Sequence, residues 1–405
     1  MANVTQLKHL EHIEDEMLNY GVAGCIAAVS AMKEMTRMLG EKKASSSLQT
    51  KWDGAPAVVC GPDPANGRFF VGTKSAFNKD PKICYTVNDV EIYYGDASPD
   101  LKTKLKECIT YFPALNIDTV VQGDLLFTGN DKKSETVNGE DLWTFRPNTI
   151  TYGIPKDHEI GQRVGRAKVG IVFHTKYTGQ DPDLSKMSAS TGAPIDQWTE
   201  SPDVAVISND TPIHDVAISS EVMKKFNSNT QIIDEMCKKS GKFLDTLVDN
   251  MGTTGNKKYH VASYLKQFFN NEIKNARHIN DPKQALKQLG TFYHEKMNKE
   301  VSKMKSPPKV AERRKQLFDG LKYLEDNEQA FHAMFALYRK IQENKTIVIT
   351  ALDKLETFRT FAMTDKGYKV TGPEGYVLHL DGDMIKLVNR IEFSYINFTL
   401  AKQWK

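Results

Sequence analysis

The sequence predicts an antiparallel-rich α+β fold that carries a large all-helical block, on three observations. Short β-rich runs dominate from about residue 47, separated by turn residues and not by regularly alternating helices. Between about 218 and 365, Leu, Phe, Met, Lys and Glu recur at helical spacing with few strand signals. Strand character returns only at 368–390. With 405 residues, 40% hydrophobic and 26% charged, the chain has the length and composition of a globular protein with two or three cores.

Residues 6–40 read as two helices. Leu7, Leu10, Ile13, Met17 and Leu18 recur at helical spacing, and Gly21 and Gly24 punctuate before the apolar stretch from Cys25 to Leu39. The polar run EKKASSS then links to the strand runs SLQTKW, PAVVC, RFFVGT, DTVVQGDLLF and KVGIVFHTKY. Turn signals such as DGAP, GPDPANG and FTGND divide them, and residues 98–112 read as an amphipathic helix between strands. Loops at MGTTGNKK, INDP and KSPPK cut the later block into four or five helices. Asp381-Gly382-Asp383 between GYVLHL and MIKLVNR marks a hairpin. These shifts divide the chain into an N-terminal helical segment at 1–44, an α+β part at 45–215, a helical insertion at 216–366 and a last strand part at 367–405.

No run of 18 apolar residues occurs, so no membrane-spanning helix is expected. The N-terminus lacks the apolar core of a signal peptide. Cys25, Cys60, Cys84, Cys108 and Cys237 are odd in number and never paired as C-x-x-C, which fits free thiols in a reducing cytoplasm and excludes a disulfide frame or zinc site. His9 and His12 share a helix face without further ligands nearby in sequence, and His174 and His379 alternate with apolar residues as structural positions do.

The overall charge of +3 hides an asymmetry. Residues 221–360 hold 26 basic and 17 acidic residues, and 257–316 hold 15 and 5. A solvated helical face has this composition, and so has a footprint for phosphate backbones. Lys257, Lys258, Arg313 and Arg314 are the candidate nucleic-acid contacts. Tyr259, Tyr264, Phe268, Phe269 and Tyr293 interleave with the cations as base-stacking or, at their helical spacing, as core residues.

Lys51-Trp52-Asp53-Gly54 has the form Lys-x-Asp-Gly. A lysine captures a nucleotide covalently if it can lose its proton and sit in line with an α-phosphate. A lysine leaving a strand before an Asp and a tight Gly turn is suited to both. Taken alone the tetrapeptide is common. Downstream, in order, stand Thr73-Lys74-Ser75, Gly123-Asp124, Phe173, Glu374-Gly375-Tyr376-Val377 and Lys386, each on or beside a predicted strand. This succession resembles the collinear motifs of the covalent nucleotidyltransferases, the ATP-dependent DNA ligases, RNA ligases and mRNA capping enzymes, over about 45–180 and 368–390. The stretches HLEHIEDE, KWDGAPAV, VQGDLLF and RPNTITYG also resemble a group of tailed-phage proteins, which implies a bacteriophage origin.

The resemblance implies an adenylation domain of the nucleotidyltransferase (ATP-grasp-like) type, using ATP and Mg²⁺ or Mn²⁺. Lys51 would take AMP, and Asp53 would orient it and support the metal–phosphate assembly. Lys74 would contact the ribose or a terminal phosphate, and Gln49 the adenine amino group. Asp124, where most relatives carry Glu, would bind a ribose hydroxyl or the metal. Phe173 would stack on the base, though an aromatic in an apolar strand also reads as core. Glu374 would hold a metal-bound water or help deprotonate Lys51, and Lys386 would neutralise the α-phosphate.

Several departures accompany the match. Pro56 stands where many DNA ligases carry Arg, Val388 takes the place of a second lysine in the final motif, and His174 stands where Asp often follows the aromatic. Roughly two hundred residues separate Phe173 from Glu374, and only nineteen follow Lys386, too few for a C-terminal OB domain. The leading expectation is an ATP-dependent ligase joining 5′-phosphate and 3′-hydroxyl ends of RNA, DNA or hybrid strands through lysyl-AMP. It is expected to act as a monomer in the cytoplasm, the host's if viral, and away from membranes. A GTP-dependent capping-type enzyme and an inactive nucleic-acid-binding or structural phage protein are the alternatives.

Overall fold

β-branched and aromatic runs with one buried face pair into sheets, and among the described residues they form three. The computed structural model describes residues 12–41, 47–179, 181–210, 219–353, 358–364, 367–370, 374–380 and 383–389. The predicted runs become β1 (Ser47–Lys51), β2 (Ala57–Pro62), β3 (Phe69–Gly72) and β4 (Val120–Thr128). Three further strands follow, β5 (Lys133–Val137), β6 (Glu140–Phe145) and β7 (Ile150–Pro155), and then the predicted β8 (Val169–Thr178). β9 (Ser188–Thr191) and β10 (Val204–Val206) complete a six-stranded sheet ordered β10-β8-β4-β2-β3, with β9 also on β8. Its pairings are antiparallel except β8–β10.

Helices cover one face of this sheet. α2 (Val87–Tyr93) starts at a capping box between Thr86 and Asp89, and α3 (Pro99–Tyr111) starts at Ser98 with Pro at its first position. Val90, Tyr94, Leu105, Cys108 and Phe112 pack there on Val58, Cys60, Val121, Leu125 and Phe173. Against the opposite face, Phe145, Tyr152 and Ile154 meet Trp52, Leu126 and Val172. These come from a five-stranded sheet ordered β12-β11-β7-β6-β5, in which β11 (Arg359–Thr364) and β12 (Gly367–Val370) join the earlier strands. Strand structure therefore returns at Arg359, before the predicted 368. The run Arg359-Thr360-Phe361-Ala362 carries no turn residue to end a helix, and its pairing with β7 decides its conformation.

α4 (Glu159–Arg166) packs on β6 and β7 through Val164, and the other helices form one body. α1 (Glu16–Glu41) is kinked at Gly21 (φ 59°), where Val22 N–H donates to Asp245 Oδ1 at 2.8 Å. α1 packs on α5 (Ser220–Asn250) and shares a core with α6 (Leu265–Lys274), α7 (Pro282–Ser302), α8 (Pro307–Asp326) and α9 (Glu328–Leu352). Tyr264, Phe268, Phe269 and Tyr293 all lie in this core, so their helical spacing records packing. The N-terminal segment and the insertion are therefore not separate lobes.

A three-stranded sheet, β1-β13-β14, joins the two bodies through β13 (Gly375–Leu380) and β14 (Asp383–Leu387). Leu48, Tyr376 and Leu387 enter the helical core, whereas Trp52 and Val388 enter the core between the larger sheets. Leu380 pairs with Asp383 across the predicted hairpin, whose turn residues 381–382 lie outside the described residues. The N-terminal turn is tied in as well. His12 bridges to Lys386, and buried Glu14 accepts from Lys345 Nζ at 2.6 and 2.7 Å.

Gly375 is the tightest point of this joint. Its φ is +145°, and a Cβ would lie 2.4 Å from Leu387 O and 2.5 Å from Val388 Cγ2. Gly375→Ala is expected to cost about 3 kcal/mol from backbone strain and overpacking. Thermal melting checks this, and an unchanged midpoint would show that the joint yields.

Candidate active site

Antiparallel pairing of strands from opposite ends of the chain builds the site. β1 runs beside β13 with Lys51 opposite Gly375, and β13 runs beside β14 with Val377 opposite Lys386. Lys51 Nζ thereby lies 2.5 Å from Glu374 Oε2, and Lys386 Nζ lies 3.9 Å from Glu374 Oε1. Glu374 is buried, while the Lys51 and Lys386 side chains keep 27% and 19% of their surface open, so the lysines face the accessible side.

This charge cluster shifts both partners. Burial opposes the charge on Lys51, but Glu374, followed by Asp124 and Asp53, outweighs it and holds the ammonium above the ordinary lysine range. Burial raises Glu374 above the ordinary carboxylate range, with Asp53 adding to it and Lys51 and Lys386 opposing. The pair therefore holds a proton tightly.

Asp53 holds the loop that follows Lys51, the orienting part of its expected role. Its Oδ2 accepts from Thr149 N–H (2.8 Å), Thr149 Oγ1 (2.6 Å) and Ile150 N–H (3.1 Å), and its Oδ1 accepts from Asn148 Nδ2 (2.8 Å). Its own N–H donates to Tyr152 Oη at 2.6 Å. Both oxygens are thus occupied in tying the loop after β1 to the start of β7, so Asp53 is a positioning residue whose charge reaches Lys51 only through space. In the sequence, the polar run Arg-Pro-Asn-Thr at 146–149, outside every nucleotidyltransferase-like motif, carries the signal for these partners.

Gly54 lets the loop descend onto β4. A Cβ there would stand 2.7 Å from Asp124 Cβ. Ala55 N–H donates to Leu125 O at 2.8 Å, and Leu125 N–H donates to Pro56 O at 3.0 Å. Asp124 is thereby held beside the loop, close enough for its charge to act on Lys51. Its Oδ2 also faces His174 Nε2 at 3.6 Å, and the other ring nitrogen contacts Thr175 Oγ1 at 2.8 Å. His174, expected to be structural, is a partly open ionisable neighbour of this group.

The remaining candidates divide. Gln49, two positions before Lys51 on β1, shares its strand face, and its Nε2 donates to Asp210 Oδ1 at 3.2 Å. Lys74 is exposed in the turn after β3, and strand register places that turn at the same end of the sheet as Asp124. Phe173 is corrected. It pairs with Gly123, whose missing side chain leaves room for the ring, and it packs edge-on to Phe112 and Trp198 (centroids 5.9 and 5.1 Å). At 2% exposure under the helices it offers no face to a base. Alternation along β8 turns His174 to the opposite face, with Asp124.

Arg313 is corrected too. It is buried, its guanidinium 2.9 Å from the Tyr259 ring centroid and bonded to Gln316, so it braces α8 and does not reach outward. Lys257, Lys258 and Arg314 are exposed.

Asp124 and Glu374 are the carboxylates that could hold a divalent ion. Among the described residues, no group of three or more His, Cys, Asp or Glu comes together for one. Two carboxylates with partners already facing them do not make a closed cage.

All five cysteines are buried and free. Among the described residues, no helix is long and apolar enough to cross a membrane. Neither the curated proteins nor the solved structures contain a match to this chain. The sequence profile of a family of unknown function, DUF6267, spans residues 3–402, nearly the whole chain, and the protein belongs to that family.

Proposed function

We propose that the protein is an ATP-dependent polynucleotide ligase with a nucleotidyltransferase-type core, acting through a lysyl-AMP intermediate on RNA, DNA or hybrid ends. One observation carries this reading. Lys51 and Glu374, from motifs at opposite ends of the sequence, meet at 2.5 Å with Lys386 beside them. A buried carboxylate between two lysines suits a site that must deprotonate one amine and keep a second cation for phosphate charge. The proposed enzyme acts in the cytoplasm, the host's if the protein is viral.

In the first step Lys51 Nζ attacks the α-phosphorus of ATP. An N–P bond forms, the bond to pyrophosphate breaks, and the amine proton passes to Glu374. In the second, a 5′-phosphate oxygen displaces Lys51, which regains a proton, and a P–O–P linkage forms. In the third, the 3′-hydroxyl attacks that 5′-phosphate, AMP leaves, and the strand is sealed. Lys386 supplies fixed positive charge to the α-phosphate. Asp124 and Glu374 would hold Mg²⁺ or Mn²⁺, whose chemistry is neutralisation of the triphosphate.

Because Lys51 must be neutral to attack and is held above the ordinary lysine range, the adduct should form faster as pH rises. Glu374→Gln removes the main charge opposing deprotonation and leaves burial to lower the Lys51 pKa. Its rising limb should move to lower pH, whatever happens to the maximal rate. Initial adenylylation rates across about pH 6–10 check this, and coincident profiles would remove Glu374 from control of Lys51.

Intact mass after incubation with ATP and Mg²⁺ or Mn²⁺, alongside GTP, tests the central reading. A gain of one AMP supports it, and a gain of GMP replaces it with the capping-type reaction. Burial of Phe173, which withholds the expected base platform, favours a binding protein that has lost catalysis. No adduct with either nucleotide, after pyrophosphatase treatment and a check for pre-adenylated protein, would favour that second reading.

A further inference from the structure

Removing Arg313 from the candidate nucleic-acid contacts leaves a more specific surface on the same helix. Phe318 is 66% exposed in the middle of α8. Positions three and four apart on a helix are neighbours, so Arg314, Lys315 and Lys322 surround the Phe318 ring. All three cations are exposed, and none forms a salt bridge or hydrogen bond among the described residues. Glu312, Asp319, Glu325 and Asp326 are also exposed on α8 but bridge to none of them.

The adjoining turn carries two further exposed cations, Lys257 and Lys258. Residues Asn256–Tyr259 are fastened to α8 by Gln316 Nε2, which donates to Asn256 Oδ1 at 3.4 Å, and by the Arg313–Tyr259 stack. Tyr293 Oη lies within hydrogen-bonding distance of both Tyr259 O (2.8 Å) and Gln316 O (3.0 Å). Lys257 and Lys258 are therefore carried on a fixed turn beside α8. The stretch that contains most of this surface, 257–316, holds 15 basic residues against 5 acidic ones.

We propose that α8 presents a platform for single-stranded nucleic acid. Phe318 stacks on an unpaired base, and Arg314, Lys315 and Lys322 hold the phosphates around it. Charge complementarity selects a polyanion, and the exposed ring selects among polyanions. A duplex keeps its bases stacked inside and offers a lone ring nothing, whereas a single strand offers a base face between phosphates. Arg314 to Lys322 spans about 12 Å of helix axis, room for one base with its flanking phosphates. The inference takes from the proposed ligase reading only the partner class, and it adds that the strand is unpaired where it meets the helical body.

Fluorescence anisotropy of labelled single-stranded DNA and RNA 20-mers and of a duplex tests this with the full chain at several salt concentrations, with adenylylation followed in parallel. Arg314→Glu with Lys315→Glu should weaken single-strand binding at least about tenfold and reduce the salt slope by about 1–2. Phe318→Ala should weaken it about tenfold with the salt slope unchanged, and should barely affect the duplex. Both variants should melt as the parent does, because the replaced side chains are exposed. If Phe318→Ala has no effect and polyglutamate competes as well as the oligonucleotide, the surface is a site for an acidic protein and the proposal fails. AMP capture without oligonucleotide binding would overturn this proposal alone, and oligonucleotide binding without AMP capture would overturn the ligase reading alone.

Discussion

Lys51→Ala is expected to abolish covalent nucleotide capture, lowering adduct formation by on the order of 10⁴-fold or more, because no other group replaces an absent nucleophile. Alanine also deprives buried Glu374 of its 2.5 Å partner, so some stability is lost with the activity. Lys51→Arg separates the two effects. Arginine keeps the positive charge and a partner for Glu374, yet it holds its proton at any working pH and cannot attack. The arginine variant should therefore melt close to the parent and form no adduct by intact mass. An adduct that persists in both variants would move the nucleophile elsewhere, and Lys386, 3.9 Å from the same carboxylate, would be examined next.

The pH dependence of this pair has a definite sign. Lys51 is raised in the folded protein, so its favourable contribution is fully present below the ordinary lysine pKa and is lost as pH rises through the folded value. Glu374 is raised as well, so its ionisation weakens the fold as pH climbs from the ordinary carboxylate range through its folded pKa. The alanine variant should lack the alkaline component of the parent's stability profile.

Asp53→Ala carries the largest expected loss of stability. Four hydrogen bonds end on this buried carboxylate, and their donors on Asn148, Thr149 and Ile150 would be left facing an apolar methyl group. Stranding several buried donors costs about 3–5 kcal/mol, which lowers the melting midpoint by roughly 4–6 °C in a chain of this size. Asp53→Asn should cost less, about 1–2 kcal/mol. Its oxygen can serve the three donors of residues 149 and 150, and the Asn148 amide can rotate to accept from its nitrogen. Alanine and asparagine variants that melt together would mean that the clamp is not what holds the loop. Because the loop carries Lys51, the alanine variant should also lose adenylylation at temperatures where it remains folded.

Local pattern made some of the architecture legible. The strand runs at 47–51, 57–62, 69–72, 120–128 and 169–178 stand out because β-branched and aromatic residues cluster between turn signals. α3 was legible from Ser98, Pro99 and its apolar spacing, and the helices of the later block from loops at their Pro and Gly residues. The strands at 133–155 were not. Lys133–Val137 and Glu140–Phe145 mix charge with apolar residues, and only their neighbours in the five-stranded sheet make them strands. α1 and the later helical block read as separate pieces, because nothing in a sequence records that two distant apolar stripes bury each other.

The site shows the same division. The sequence by itself determined which chemical groups this protein has: a lysine before Asp-Gly, a Glu-Gly pair near the end, a later lysine and a basic helical block. Local patterning also determined that these groups sit at the ends of strands and in turns. Only the tertiary structure decided which of them meet. The β1–β13–β14 register brings Lys51, Glu374 and Lys386 together, while one step of alternation along β8 sends Phe173 into the core and His174 toward Asp124. Likewise Arg313 and Arg314 are neighbours with the same charge, but helix geometry buries one against Tyr259 and leaves the other beside Phe318 in solvent. Residue chemistry is local, whereas the face on which a side chain emerges depends on strand pairing and helix packing between segments hundreds of residues apart.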